Sequence, residues 1–193
     1  MFQKFQQSQF KVTPSPFGIV FNSLSIARQL SAILDQDLIL EEDLVYFDHL
    51  YHSMLHHGSS SNYDPKAMLH DLNQDLVQAN AALIESDFVL ITLGTSFYYR
   101  LKDSGKIVSN CHRLPQELFT KEQASVEDMV LSFSQMMNRL WNLDPHKKLI
   151  FTVSPVRYLR DGFIQNARSK AALLLCCEIL EKNFENVFYF PSY

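Results

Sequence analysis

Two short apolar runs constrain the fold of this chain more than any other feature of its sequence. Residues 87–93 and 149–153 are nearly continuous stretches of Val, Leu, Ile, Phe and Thr, and each ends at small polar residues. Such runs are typical of strands buried in a parallel sheet. Segments with helical spacing of apolar residues alternate with these runs. The predicted helices are 23–36, 64–83, 125–143 and 166–184, and a third strand is predicted over 187–190. This alternation predicts an α/β fold, with a parallel sheet covered by helices on both faces.

Length and composition narrow the class of protein. The 193 residues suit a single domain over 1–193, and 47% hydrophobic residues are ordinary for a globular chain. A net charge of −4 argues against a nucleic-acid partner. No apolar stretch approaches the ~20 residues that span a bilayer, and the amino terminus has no signal-peptide pattern. Three cysteines do not form a secreted disulfide framework, so we expect a cytoplasmic chain without a membrane partner.

The first candidate site follows the two apolar runs. Gly94, Thr95 and Ser96 end the first, and the segment Ser154–Arg157 ends the second. Ligands of open α/β sheets bind at the carboxyl ends of the strands, and small residues there let backbone N–H groups approach a substrate oxygen. The alternative is that glycine and serine only turn the chain at these points. The two interpretations stay open from the sequence alone.

A histidine cluster suggests a second candidate site. His49, His52 and His56 would share one face if the segment were helical, and His57 follows. Three converging ligands could hold zinc. However, no His-Glu-x-x-His or paired-cysteine motif is present, so polar lining of a pocket without metal is the favoured interpretation. We therefore expect no metal and no cofactor.

The remaining reactive side chains give weaker signals. Adjacent Cys111 and His112 do not predict a cysteine nucleophile, because catalytic Cys and His partners are usually remote in sequence. His112 fits better as a pocket residue. Arg100 and Arg157 could bind an anionic group, although surface ion pairs are the commoner role of arginine.

Several familiar nucleotide and hydrolase motifs are missing from the sequence. It contains no Gly-x-Ser-x-Gly elbow, no P-loop and no Gly-x-Gly-x-x-Gly. With only five glycines, a loop that cradles phosphate is not expected. The α/β-hydrolase, nucleotide-hydrolase and dinucleotide-binding classes therefore lose their usual support.

Ordered segments along the chain resemble the GSCFA family, which is grouped with the SGNH-type hydrolases. The segments that carry the resemblance are 16–22 (Pro-Phe-Gly-Ile-Val-Phe-Asn), 25–27, 52–57, 93–100 (Leu-Gly-Thr-Ser-Phe-Tyr-Tyr-Arg), 110–115, 151–157 (Phe-Thr-Val-Ser-Pro-Val-Arg), 161–163, 169–171 and 189–192. The resemblance implies a three-layer α/β/α sandwich with a mainly parallel, flavodoxin-like sheet.

The resemblance also implies that the catalytic ends lie outside this sequence. The family is named for a Gly-Ser-Cys-Phe-Ala segment whose serine would be the nucleophile, and SGNH enzymes place an Asp and a His near the carboxyl terminus. Residues 1–193 contain neither segment. We expect a chain that is truncated at both termini, lacks the first strand of the sheet and is inactive alone.

The remaining site residues are assigned by position in the family pattern. Gly18 matches the glycine of the second SGNH block, and Gly94 to Ser96 occupy the third, where many relatives have Asn. A hydroxyl, a backbone N–H or Asn110 would have to replace that Asn in the oxyanion hole. The further pocket candidates are Asn22, His52, His56, His57, Arg100, His112, Ser154 and Arg157.

Three functions are compatible with these residues. The first is part of a serine esterase or acyl hydrolase acting on a small-molecule or carbohydrate ester, for example an acetylated sugar. The second is a ligand-binding module that keeps a pocket without catalysis. The third is a metal-dependent enzyme that uses the histidines between His49 and His57. The sequence does not predict the oligomeric state.

Overall fold

The computed structural model describes residues 2–192, which form five α-helices and eight strands. The helices are α1 (Phe2–Gln7), α2 (Ser23–Asp35), α3 (Pro65–Glu85), α4 (Val126–Leu143) and α5 (Phe163–Asn183). The strands are β1 (Leu44–Phe47), β2 (Leu50–Ser53), β3 (Phe88–Leu93), β4 (Phe97–Leu101), β5 (Ile107–Val108), β6 (Phe119–Gln123), β7 (Lys148–Val153) and β8 (Val187–Tyr189).

A parallel sheet with the order β3-β7-β8 is the framework of the fold. Its register places Ile91 beside Phe151 and Phe151 beside Tyr189. All three strands lie in the apolar runs that predicted them. Helix α4 connects β3 to β7 and helix α5 connects β7 to β8, and such long helical connections are what parallel pairing requires. The predicted mixed α/β class with a parallel sheet is confirmed, and the arrangement is consistent with an α/β/α layered fold.

The main core lies on one face of this sheet. Ile91, Leu93 and Phe151 from the strands form one buried cluster with Phe133 from α4 and Leu173 from α5, and Ala27 of α2 joins it. The opposite face is more open, since Phe88, Leu90 and Phe188 are 49%, 44% and 42% exposed. Within the described residues β3 is therefore an edge strand with one exposed face, although a continuous apolar run is typical of a central strand buried on both faces.

Local capping explains where two of the helices begin. The Asp64 side chain accepts from the backbone N–H groups of Lys66 and Ala67, and Pro65 occupies the first turn of α3. Ser125 and Asp128 form a reciprocal capping box at the start of α4. Both beginnings agree with the sequence prediction, because a cap depends only on neighbouring residues.

Strands without a clear sequence pattern build the rest of the fold. β4 pairs antiparallel with β5 and β6, and β1 pairs with β2 in a hairpin. Residues 103–105 (Asp-Ser-Gly), a sequence typical of hairpin turns, lie in the β4–β5 turn, whereas no sequence pattern predicted β1, β2 or β6. His52 lies on β2 and His49 lies in the hairpin turn with φ +63°. The shared helical face considered for these histidines is therefore absent.

Helices long and apolar enough to cross a bilayer are absent from the described part of the chain.

Candidate functional site

The carboxyl end of β3 is held by the segment before α2. The backbone N–H groups of Gly94 and Thr95 both donate to the carbonyl of Phe21, at 2.9 and 3.0 Å. Asn22 and Thr95 form a short parallel bridge. A Cβ at Gly94 would lie 3.0 Å from the Phe21 oxygen, so the close approach needs glycine. The two N–H groups are thus used inside the protein and do not face a substrate oxygen.

Ser169 of α5 forms hydrogen bonds with the hydroxyl groups of the two residues that follow Gly94. Its Oγ lies 3.2 Å from Thr95 Oγ1 and accepts from the Ser96 N–H at 2.9 Å. Ser96 Oγ donates to Ser169 Oγ at 3.1 Å and accepts from Gln123 Nε2 at 3.1 Å. Since Ser96 and Ser169 are buried, this hydroxyl network fixes the turn between β3 and β4.

Lys170 links the ends of β3 and β7. Its ammonium group donates to the carbonyls of Gly94 at 2.7 Å and Ser154 at 2.6 Å. The residue is only 2% exposed, and burial lowers the pKa of its ammonium group from the ordinary value. A buried positive charge therefore lies beneath both predicted strand-end segments and holds them together.

The second strand end leads into an exposed segment. Ser154 donates its N–H to Leu93 O at 2.9 Å, and its Oγ accepts from the Val156 N–H at 3.3 Å. Arg157 is exposed, and no ion pair involves it among residues 2–192. The structure thus brings Ser154 to the Gly94 side of the sheet, while Arg157 extends beyond it.

The first turn of α2 adds two buried hydroxyl groups beside the same strand end. Ser23 N–H donates to Thr95 O at 3.3 Å, and Asn22 Oδ1 caps the helix by accepting from Ser25 N–H at 2.7 Å. The Oγ atoms of Ser23 and Ser25 are buried without a hydrogen-bond partner in the described part of the chain. Because buried hydroxyls are normally paired, these two are the least satisfied polar groups near the strand ends.

The histidines form a separate cluster around Ser53. His56 Nδ1 lies 2.8 Å from Ser53 Oγ, and His112 Nε2 lies 2.8 Å from the Ser53 carbonyl, to which it must donate. His52 binds Ser61 Oγ and the Phe47 carbonyl through its two ring nitrogens, and its ring lies 4.7 Å from that of His112. Burial, with the nearby His112, lowers the pKa of His56 to about 4, and burial also lowers the pKa of His112.

Gly18 and Asn110 lie at the border of this histidine cluster. Gly18 has φ +75°, and a Cβ added to it would lie 2.7 Å from His57 Cβ. The Asn110 side chain accepts from the His112 N–H at 2.9 Å, and both residues lie close to Gly58. The structure therefore groups these candidates with the histidines and not with the strand-end residues.

Each of the three buried histidines of the cluster uses at least one ring nitrogen in a hydrogen bond within the protein. His52, His56 and His112 bind serine hydroxyls or backbone carbonyls, and no group of three or more His, Cys, Asp or Glu within residues 2–192 could hold a metal ion. The neighbouring Cys111 is partly buried, which raises the pKa of its thiol to about 11. At neutral pH this thiol is protonated and a poor nucleophile.

Arg100 lies in neither group. It pairs with Glu122 at 3.2 Å and donates to the Gly105 carbonyl at 2.6 Å on the β4–β6 sheet. Its guanidinium also donates to the hydroxyl of Tyr98. This arginine thus takes the surface ion-pair role that was the alternative for it.

Two surface grooves of the described residues lie away from the carboxyl ends of the strands. One is lined by residues of α3 with Leu38, and another lies at the amino ends of β3 and β7, around Phe88 and Lys148. The amino ends of the strands are the opposite edge of the sheet from Gly94 and Ser154.

The sequence prediction missed the side chains that organise the strand ends. Ser169 and Lys170 lie on the buried face of α5, in step with Asn166 and Leu173. Polar residues at core spacing in an apolar helix were a usable signal, because a polar group on that face requires a partner. Gln123 gave no such signal, since β6 itself was not predicted.

The parallel sheet and the helices packed on it define a layered α/β protein. The sequence model of the GSCFA family matches residues 1–193, so the chain belongs to the GSCFA family. No curated protein and no solved structure matches the chain.

Proposed function

We propose that the carboxyl edge of the parallel sheet and the first turn of α2 beside it form the oxyanion side of an SGNH-type site that cleaves or transfers an ester, such as the acetyl group of a carbohydrate. Family membership and the position of Gly94, Thr95 and Ser154 at the carboxyl edge of a parallel sheet support this. The observation that carries the proposal is that the first turn of α2 is held against that edge, through the Asn22–Thr95 bridge and the bond from the Ser23 N–H to the Thr95 carbonyl.

The donors in this site would come from the first turn of α2. The N–H groups of Gly94 and Thr95 are used by Phe21, so they cannot stabilise an oxyanion as first expected. Asn22 uses its Oδ1 as the cap of α2, which leaves its Nδ2 group to donate. This amide and the positive end of the helix would stabilise negative charge on a substrate oxygen.

The nucleophile and the base would be contributed from outside residues 2–192. Acyl transfer needs an activated hydroxyl and a base hydrogen-bonded to it. At the strand ends no histidine bonds to a hydroxyl in the described part of the chain. Ser53 and His56 do form such a pair, but both are buried and His56 has a pKa of about 4, so the pair suits a structural role. We therefore propose that residues 1–193 alone do not turn over esters.

An esterase assay tests this proposal. Residues 1–193 should hydrolyse p-nitrophenyl acetate no faster than buffer. A longer chain, with a Gly-Ser-Cys-Phe-Ala segment before and an Asp/His segment after this sequence, should be active and should lose activity when that serine becomes alanine. In the active chain, Asn22→Ala should lower kcat by ~10²-fold, the typical loss for one oxyanion donor. The matched control Asn110→Ala should change kcat far less.

Other outcomes would contradict the proposal. Turnover by residues 1–193 that survives dialysis and repurification would place the nucleophile within this chain. Equal losses in Asn22→Ala and Asn110→Ala would remove the assignment of the α2 donors.

The second candidate function is a binding module without catalysis. It is favoured by the hydrogen bonds that Thr95, Ser96 and Ser169 make with one another. Groups bonded in this way form a rigid scaffold and are not free to take part in catalysis. An inactive longer chain that still binds an acetylated sugar in calorimetry would favour this function over the esterase.

A further inference from the structure

The outward face of α5 carries exposed apolar side chains among its charged ones. Its inward face is fully buried through Leu173, Cys177 and Leu180. On the outward face Ile164 is 68% exposed and Leu175 is 49% exposed. The outward face of α5 therefore exposes large apolar side chains that a partner could cover.

The spacing of the outward residues fits packing against a second helix. One set of exposed positions is separated by four and three residues in alternation, and it comprises Ile164, Arg168, Ala171, Leu175, Glu178 and Lys182. This alternation keeps one seam of a helix facing a partner helix along its length. We refer to these six residues as the α5 seam.

Charge and size along the α5 seam determine which partner it fits. When two copies of α5 are placed antiparallel about the level of Leu173, Arg168 of one copy lies opposite Glu178 of the second copy, and this happens twice. Ala171 then lies opposite Leu175 of the second copy, so a small side chain faces a large one at both positions. A parallel arrangement would instead place Arg168 against Arg168, which is unfavourable.

The charges of the seam are available for such pairing. Arg168 makes no ion pair within residues 2–192, and Glu178 pairs only with Lys182 one turn away on its own exposed helix. An exposed pair of this kind holds its partners weakly. Glu178 can therefore contact Arg168 of a second copy without a large loss.

We propose that the α5 seam is a self-complementary interface through which two copies of this chain associate antiparallel. One helix pair buries an area at the low end of specific interfaces, so we expect a dissociation constant on the order of micromolar. The inference is independent of the proposed ester chemistry, since Ser169 and Lys170 lie on the opposite face of α5.

Sedimentation of residues 1–193 tests this interface. The chain should sediment as a dimer at ~100 µM, well above a micromolar dissociation constant. Leu175→Glu should make it monomeric. Val77→Glu on α3 is the matched control, because Val77 is also 49% exposed, and it should leave the dimer intact. Circular dichroism should be the same for all variants, since both positions are on the surface.

Charge reversal tests the antiparallel register. Arg168→Glu and Glu178→Arg should each weaken the dimer by ~10-fold or more, because like charges then face each other twice. The double variant should regain most of the affinity, since the pairs are restored with opposite polarity. A monomeric parent chain, a dimer that survives Leu175→Glu, equal effects of Val77→Glu, or no recovery in the double variant would each overturn the proposal.

Discussion

Comparison of Gly18→Ala with Gly105→Ala separates steric crowding from backbone strain. Both glycines have a positive φ, but only Gly18 has a close neighbour. Gly18 has φ +75°, and an added Cβ would lie 2.7 Å from His57 Cβ. Gly105 has φ +67° and no atom within 4 Å of an added Cβ. His57 cannot move away freely, since its N–H donates to the Phe17 carbonyl at 2.9 Å. Gly18→Ala should therefore cost more than Gly105→Ala.

The expected difference can be worked from these two environments. A left-handed backbone costs an L-residue roughly 1–2 kcal/mol, and alanine recovers roughly 0.4–1 kcal/mol by restricting the unfolded chain. Gly105→Ala should therefore lower the free energy of unfolding by about 1 kcal/mol. Overpacking against His57 adds roughly 1–3 kcal/mol, so Gly18→Ala should lower it by about 2–4 kcal/mol.

Urea denaturation followed by the fluorescence of Trp141 measures both losses. Trp141 is the one tryptophan of the chain, and its indole N–H donates to the Lys147 carbonyl at 2.8 Å, so unfolding changes its environment. Equal losses in Gly18→Ala and Gly105→Ala would show that His57 does not crowd this position. The placement of Gly18 against the histidine cluster would then be wrong.

Two further predictions concern buried ionisable groups. Lys170→Met should lower the free energy of unfolding by about 2–3 kcal/mol in the same urea assay, because two buried strand-end carbonyls lose their donor while the cost of a buried charge is relieved. A loss below about 0.5 kcal/mol would contradict the link between the strand ends. His56 has a folded pKa of about 4 against 6.5 in the unfolded chain, so only the unfolded state takes up its proton between these values. Stability should therefore be full above pH 6.5 and fall by up to about 3 kcal/mol toward pH 4, and His56→Gln should lose this part of the pH dependence.

Local features of the sequence predicted most of the framework. The apolar runs gave β3, β7 and β8, and the caps Asp64 and Ser125 gave the beginnings of α3 and α4. These features depend on neighbouring residues, which any single sequence displays. The strand-end candidates followed from the same runs, because a parallel sheet brings its carboxyl ends to one edge.

The histidines show where the sequence pattern failed. Their spacing allowed a shared helical face, but His52 lies on a strand and His49 in a turn. Whether residues 44–53 form a helix or a hairpin depends on the pairing of β1 with β2 and on packing against distant segments. Short polar stretches carry no periodicity strong enough to decide this.

What the sequence alone determined is the α/β class, the order of its main helices and parallel strands, and the edge of the sheet at which Gly94 and Ser154 meet. The tertiary structure decided which side chains hold that edge. Ser169 lies 73 residues from Ser96 along the chain, and Lys170 lies 76 residues from Gly94 and 16 from Ser154. Hydrogen bonds between such distant residues exist only once helices and strands are packed, because burial is what requires each polar group to find a partner.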